Sequence, residues 1–157
     1  MKCKRCLETP GFHSFEKISD LSGIQYFYCF PAHNKKSVQN HEDMLNFVSH
    51  FPEEGKWSFL FHAKGYTFSH LMPLSVALEM GKLVEKNHLE SLQKIYIVQG
   101  SWFMNFIVLC ILPILRKEMR SKFVLVDGNL LEVMNKLQKE GLSLSSLQSL
   151  RNHFGEN

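Results

Sequence analysis

The segment 102–115 limits the choice of fold more than any other part of the sequence. Its residues, WFMNFIVLCILPIL, are apolar apart from Asn105, so a helix formed here would be apolar on every side. A membrane-spanning helix needs about 20 apolar residues, and this segment has 14. Two interpretations remain, because a small domain has few elements with which to cover such a helix. Either the helix is fully buried, or one side lines an apolar cavity and the other side meets lipid.

The composition is that of one globular domain. The chain has 157 residues, of which 45% are hydrophobic and 21% are charged, and this length can bury a substantial core. The formal net charge of +3 comes without the concentrated basic stripe of a nucleic-acid interface, so we expect no nucleic-acid partner. A mildly basic protein can contact anionic lipid. The sequence opens without the basic and apolar regions of a signal peptide, and we therefore expect a cytoplasmic protein.

Cys3 and Cys6 form a Cys-x-x-Cys pair near the start of the sequence. A zinc site would need two further ligands, and the nearest histidines are His13 and His33, without a second pair at zinc-finger spacing. We therefore expect no metal site. We interpret residues 1–22 instead as an N-terminal tail or a loosely packed lead-in.

Short apolar runs alternate with helical patterns along the chain. Continuous apolar or aromatic runs predict strands at residues 24–30, 57–61, 95–98 and 123–126. Apolar residues at helical spacing predict helices at residues 41–51, 69–86, 102–115 and 129–141, with a last helix from about Ser143. This alternation indicates a single α/β domain over residues 23–157, in which helices cover a mostly parallel sheet on at least one face.

The sequence motifs of common catalytic sites are missing. The chain has no G-x-S-x-G elbow, no phosphate-binding loop and no G-x-G-x-x-G fingerprint. Its eight histidines are scattered, and no Ser–His pair has an evident orienting acid. We therefore expect a protein that is not an enzyme and has no cofactor.

Several short motifs around the apolar segment agree with one known family in both type and spacing. The sequence reads HLES at residues 88–91, then an apolar strand, QGSWF at 99–103, PIL at 113–115 and SKF at 121–123. These correspond to the Y-P-E-R, N-A-P-hydrophobic-F, P-F-L and S-K motifs of the lipid-binding CRAL-TRIO domain family, without a gap from residue 90 to residue 122. The chain therefore resembles this family, and more loosely so over most of its length.

The resemblance implies a sheet floor and helical walls that enclose an apolar pocket for one lipid or other small hydrophobic molecule. In the family, the helix after N-A-P is a gate that contacts the bilayer, and residues 102–112 match it. Ser101 can cap this helix, and Gly100 can act as its pivot. The implied function is binding, and transfer between membranes, of such a ligand by a peripherally membrane-associated protein. The ligand stays open among phospholipid, sterol, retinoid and tocopherol.

Two groups of residues make up the predicted binding site. The pocket is predicted to be lined by residues of two strands and of the gate: Trp57, Phe59, Phe61, Tyr96, Val98, Trp102, Phe103, Phe106, Ile107 and Cys110. A lipid headgroup is predicted to contact Glu90 and Lys122, which match the Glu and Lys of the phosphatidylinositol-transfer subgroup. A threonine of that subgroup is replaced here by Met119, so the resemblance does not imply phosphoinositide specificity.

Departures from the family pattern favour an alternative function. His62 stands where the family has an aspartate, and the N-A-P turn is replaced by Gln99-Gly100-Ser101. Because only about twenty residues precede the first predicted strand, we expect the helical subdomain that usually precedes the lipid domain to be missing. The Ser-Trp-Phe sequence at residues 101–103 matches a divergent group of such domains that act as protein-interaction scaffolds. The alternative is therefore a non-catalytic scaffold with a protein partner.

Overall fold

Five strands form one sheet at the centre of the structure, a computed structural model that describes residues 3–143, 145–147 and 151. They are β1 Phe15–Leu21, β2 Ile24–Cys29, β3 Lys56–His62, β4 Leu92–Val98 and β5 Phe123–Val126. The strands lie side by side in the order β1-β2-β3-β4-β5. β1 runs antiparallel to β2, and all other neighbours are parallel. The predicted α/β class with a mostly parallel sheet is confirmed.

Helices connect the parallel strands and cover the sheet. They are α1 Lys4–Glu8, α2 His41–Val48, α3 Leu74–His88, α4 Trp102–Ile111, α5 Lys117–Arg120 and α6 Leu130–Lys139, with short 3-10 turns at Pro31–His33, Phe68–His70 and Leu112–Ile114. Among the described residues, no helix combines the length and the apolar character that crossing a bilayer requires. The helix predicted from about Ser143 falls largely on residues outside the described ranges.

The alternation of side chains along the strands divides the interior into two cores, one on each face of the sheet. On one face, Tyr28 and Tyr96 belong to a core that includes Val133 and Leu137 of α6. The other face carries odd-numbered residues, which pack toward α2, α3 and α4: Phe27, Trp57, Phe59, Phe61, Ile95 and Ile97. Three helices therefore share one face of the sheet, and α6 covers the other.

Part of the predicted N-terminal tail is the edge strand of the sheet. β1 lies within residues 1–22 and pairs with β2 along its length. A bulge between Lys17 and Ser19 breaks the two-residue period of the strand, so that Ile18 and Leu21, three residues apart, pack against the same core. The interpretation of this segment as a loose lead-in is therefore corrected, and the bulge is the reason that its pattern did not predict a strand.

Two helix boundaries lie at prolines. α3 begins after Pro73 rather than near Ser69, because the residue before a proline is pushed out of helical geometry. α4 ends where the chain tightens into a 3-10 turn around Pro113. The start of α4 is as predicted, since the Ser101 hydroxyl accepts a hydrogen bond from the Met104 N–H at 3.2 Å.

Candidate functional site

A cavity of about 220 Å³ lies between the sheet and the helices α2, α3 and α4. Its floor is one face of the neighbouring strands β3 and β4, with Trp57, Phe59 and Phe61 from β3 and Ile95 and Ile97 from β4. The parallel register pairs Phe59 with Ile95 and Phe61 with Ile97, which sets these side chains in rows on the same face. The floor of the cavity is therefore entirely apolar.

One face of α4 forms a wall of the cavity. The lining residues recur at the spacing of a single helix face: Met104, Ile107, Val108 and Ile111. Met104 and Val108 also belong to a small core with Ile97 of β4. These contacts hold α4 against the floor.

Another wall is α3, which contributes Ala77, Met80, Gly81 and Val84. Gly81 permits a close approach between α3 and the segment after α4, because a Cβ atom there would lie 3.1 Å from Leu115 Cδ2. A larger residue at position 81 would force that leucine to shift. The wall formed by α3 therefore lies close to the segment that follows α4.

Polar side chains line the cavity near the carboxyl ends of β2 and β3. They come from the loops after these strands: Asn34, Ser37, Tyr66 and His70. The carboxyl ends of neighbouring parallel strands lie at the same edge of a sheet, so these groups enter the cavity from one side. Burial raises the pKa of the Tyr66 hydroxyl above its ordinary value. This side of the cavity can contact the polar end of an otherwise apolar ligand.

The outer face of α4 is exposed to solvent. Trp102, Phe106 and Leu109 are 79%, 59% and 58% exposed. Beside them, Phe68 is 74% exposed and packs on the ring of Phe103, with 4.2 Å between the ring centroids. A continuous apolar surface of this kind is typical of sites that contact a partner or a membrane.

Two of the segments that carry the family motifs contribute to the lining of the cavity, with Leu115 from residues 113–115 and Phe123 from residues 121–123. The sequence matches the CRAL/TRIO domain over residues 18–142, about four-fifths of the chain. This chain belongs to the CRAL/TRIO domain family. No curated protein matches the sequence. Membership of the CRAL/TRIO family points to the binding of a small lipophilic ligand, and every lining residue of the cavity lies within the matched segment.

Four of the ten residues predicted to line the pocket of the CRAL/TRIO domain do line the cavity: Trp57, Phe59, Phe61 and Ile107. Tyr96 and Val98 do not, because they alternate with the lining residues of β4 and belong to the core beneath α6. The remaining four predicted residues are on α4 but outside the lining: Trp102, Phe103, Phe106 and Cys110. Of these, Cys110 has an exposed side chain. Contact of any of the ten with a ligand stays a prediction.

The two residues predicted to bind a headgroup in the CRAL/TRIO domain, Glu90 and Lys122, form no ion pair with each other in the described part of the chain. Lys122 Nζ donates hydrogen bonds to the main-chain carbonyls of Leu89 and Leu92, and burial lowers the pKa of this lysine. Glu90 is exposed, and within the described part of the chain no ion pair links it to Lys122. The lysine ties the segment around the start of β4 to the start of β5. A headgroup role for either residue stays a prediction.

His62 takes part in a hydrogen-bonded chain in the interior of the CRAL/TRIO domain. Its Nδ1 lies 2.7 Å from the Tyr28 hydroxyl, and its Nε2 lies 2.8 Å from Gln99 Oε1. Gln99 Nε2 in turn donates to the Gly128 carbonyl at 3.2 Å, and the Gln99 backbone has a left-handed φ of 52°. The chain links the carboxyl ends of β2, β3 and β4 just before Ser101 begins α4.

A second group of polar side chains lies outside the cavity. Cys3, Cys6, His13 and His50 place one sulfur or nitrogen atom each within 4.8 Å of one another, and they are a group among the described residues that could hold a metal ion. The expectation of no metal site therefore lacks its basis, since Cys3 and His13 are buried rather than part of a loose tail. Sequence spacing could not reveal His50, which is 37 residues from His13. Burial, together with the nearby His50 ring, lowers the pKa of His13 to about 4.

Proposed function

We propose that this CRAL/TRIO domain binds one small lipophilic molecule in the cavity and exchanges it with membranes by displacement of α4. The observation that supports the proposal is that α4 presents apolar side chains both to the cavity and to the solvent. Ile107 and Ile111 line the cavity, whereas Trp102 and Phe106 are exposed on its outer face. A helix that only completed a core would have packed side chains on its inner face and few exposed aromatic rings on its outer face.

The size of the cavity favours a single apolar chain or a small ring system. Its 220 Å³ is below the about 300–1,000 Å³ of sites that enclose drug-sized ligands. Each buried methylene contributes about 0.8 kcal/mol to the free energy of binding. A short chain of about eight methylenes therefore contributes about 6 kcal/mol, which is comparable with the cost of association of about 4–15 kcal/mol. A ligand that binds tightly must therefore be longer, and it needs an outward movement of α4.

The connections at both ends of α4 are compatible with such a movement. Before the helix, Gln99 is in a left-handed conformation and Gly100 follows it. A Cβ atom at Gly100 would lie 2.5 Å from Asn105 Oδ1, so a larger residue there would displace the Asn105 side chain. After the helix, the 3-10 turn around Pro113 interrupts the helical hydrogen bonds. These two short segments outside the α-helix can change conformation while α4 rotates as a rigid unit.

The outer face of α4 would contact the bilayer during exchange. Trp102 is of the type that is enriched at membrane–water interfaces, and Phe106 is of the type found on the apolar face of interfacial helices. Lys117 and Arg120 of α5 are exposed and can contact anionic headgroups. We accordingly propose that the protein is cytoplasmic, associates peripherally with membranes and binds its ligand without chemical turnover.

A protein-interaction scaffold is the second candidate function. The exposure of Trp102 favours it, because a partner protein could cover the same apolar face that we assign to the membrane. The two functions differ in what they require of the cavity. A lipid carrier must fill it, whereas a scaffold needs no ligand at all.

The lipid content of the protein separates these functions. Purified protein would be extracted with organic solvent for lipid mass spectrometry, and delipidated protein would be mixed with phosphatidylcholine liposomes that contain a fluorescent fatty acid or sterol. We expect near-stoichiometric lipid in the extract or uptake of the probe from the liposomes. An empty extract, together with no uptake by protein that circular dichroism shows to be folded, would contradict lipid binding and favour the scaffold.

A further inference from the structure

Three segments of the chain meet at two cysteines and two histidines. Cys3 immediately precedes α1 and Cys6 lies within it, while His13 lies before β1 and His50 follows α2. The two histidine rings meet edge to face, with their centroids 5.1 Å apart. None of the four residues lines the apolar cavity, so the group is separate from the proposed lipid site.

Four of the six distances among these side chains match the edges of a tetrahedron around a metal ion, and all six are within 4.8 Å. The Sγ atoms of Cys3 and Cys6 lie 3.5 and 3.7 Å from His13 Nδ1. Cys6 Sγ lies 3.5 Å from His50 Nε2, and the two histidine nitrogens are 3.1 Å apart. Zinc–sulfur bonds of about 2.3 Å and zinc–nitrogen bonds of about 2.0 Å give edges of about 3.5 Å between S and N and about 3.3 Å between two N atoms.

We propose that Cys3, Cys6, His13 and His50 bind one zinc ion in a closed structural site. Two thiolates and two imidazole nitrogens in a tetrahedron are typical of zinc. The two thiolates balance the charge of Zn²⁺, and two neutral imidazoles add none, so the occupied site is neutral. Because the protein supplies all four ligands, no position remains for water or substrate, and the zinc has a structural rather than a catalytic role.

Neighbouring groups orient the proposed ligands. Burial raises the pKa of the Cys6 thiol, and the His13 N–H, which donates to Cys6 Sγ at 3.4 Å, partly offsets this by favouring the thiolate. The Lys4 N–H donates to Asn46 Oδ1 at 3.1 Å, and this oxygen lies 3.9 Å from Cys3 Sγ. The backbone of α1 is thus fixed against α2. The lowered pKa of His13 keeps its ring neutral, the form in which histidine binds metals.

Zinc at this site would hold the N-terminal segment against a wall of the cavity. The His13 ring packs edge-on against Phe47, with 5.6 Å between the ring centroids, and Phe47 lines the cavity. Phe51, the residue after His50, lines it as well. A site with ligands from distant segments does not exist in the unfolded chain, so zinc binding contributes to the stability of the fold. Removal of zinc is therefore expected to lower the thermal midpoint.

The metal content of the full-length wild-type protein tests the proposal without any substitution. Protein expressed with added zinc and purified without chelator is expected to contain about one zinc ion per chain. After zinc removal under reducing conditions, titration with Co²⁺ is expected to give the visible absorption bands of tetrahedral cobalt with thiolate ligands, complete at about one equivalent and lost when Zn²⁺ is added. Zinc well below one equivalent after reconstitution, an octahedral cobalt spectrum or a Cys3–Cys6 disulfide in freshly purified protein would overturn the proposal.

Substitutions locate the bound metal. Cys6→Ser and His50→Ala are each expected to weaken Co²⁺ binding at least about tenfold. His50→Cys replaces one ligand with another and is expected to keep the tetrahedral spectrum. Cys110→Ser and His41→Ala are matched controls, because both side chains are exposed and outside the group, and binding is expected to be unchanged in them. Undiminished binding in Cys6→Ser and His50→Ala, or an equal loss in the controls, would overturn the assignment.

Discussion

Phe106 and Ile107 are consecutive residues of α4 with opposite surroundings: Ile107 lines the cavity, whereas Phe106 is 59% exposed. Consecutive helical residues point about 100° apart, so one helix can present apolar side chains both to a cavity and to its outer surface. This arrangement accounts for a helix that is apolar on every side without requiring burial of every side. It also allows the two faces to be tested separately.

The outer face is tested by a double substitution, Phe106→Ser with Leu109→Ser. We expect ligand transfer to vesicles to slow about tenfold or more, because each side chain contributes about 1.5–3 kcal/mol when it leaves water. Affinity for a soluble fluorescent fatty acid is expected to be unchanged, since neither residue lines the cavity. Stopped-flow transfer and equilibrium titration measure the two quantities.

The matched control for the outer face is Leu131→Ser, because Leu131 is 68% exposed on α6, which covers the opposite face of the sheet. We expect normal transfer in this variant. Equal slowing in the control, or a loss of equilibrium affinity in the double variant, would show that the outer face of α4 does not act in the way proposed.

The cavity is tested by filling it from α3. Ala77→Leu adds three carbon atoms at a lining position, and we expect fatty-acid affinity to fall about tenfold or more, because the ligand loses a comparable buried volume at about 0.8 kcal/mol per methylene. Ser75→Leu makes a similar change at an exposed position of the same helix and is expected to bind normally. Equal affinity in both variants would place the ligand elsewhere.

Lys122 is expected to act in folding rather than in ligand choice. Lys122→Met removes its hydrogen bonds to the Leu89 and Leu92 carbonyls, and we expect the free energy of unfolding to fall by about 1–3 kcal/mol. Lys117→Met, at an exposed position, is the control and is expected to change it little. Denaturant unfolding measures both. Selective loss of anionic-lipid uptake in Lys122→Met, with stability unchanged, would instead support the predicted headgroup role.

The Tyr28–His62 hydrogen bond is expected to stabilise the carboxyl edge of the sheet. Tyr28→Phe removes a buried hydroxyl that lies 2.7 Å from His62 Nδ1, and we expect a loss of about 1–2 kcal/mol in the free energy of unfolding. Tyr26→Phe is a matched control on the same strand, because its hydroxyl has no hydrogen bond among the described residues. Equal effects of the two substitutions in urea unfolding would argue against a specific role of the bond.

The sequence predicts where the elements of this fold lie better than it predicts which side chains face the cavity. The runs at residues 57–61 and 123–126 are largely apolar, which leaves few alternatives to buried strands. They mark no outer face, because their one polar residue, Ser58, is itself buried. Tyr96 and Ile97 are therefore equally suitable for the cavity on sequence grounds, and only the pairing of β4 decides between them.

Long-range contacts were the other limit of prediction. Cys3 and Cys6 form a visible pair, but the fourth member of the group, His50, becomes a neighbour only when α2 packs beside the N-terminal segment. The polar residues of the cavity, such as Asn34 and His70, lie in loops whose course no periodic pattern describes.

The central claim, that a lipophilic molecule occupies the space between β3, β4 and the inner face of α4, is tested most directly by photocrosslinking. A fatty acid with a diazirine near the end of its chain would be loaded into the full-length protein and photolysed, and the labelled residues identified by peptide mass spectrometry. We predict adducts on Phe59, Met104 or Ile107 that are lost in Ala77→Leu. Adducts confined to Trp102, or an absence of adducts in protein saturated with the probe, would contradict the claim.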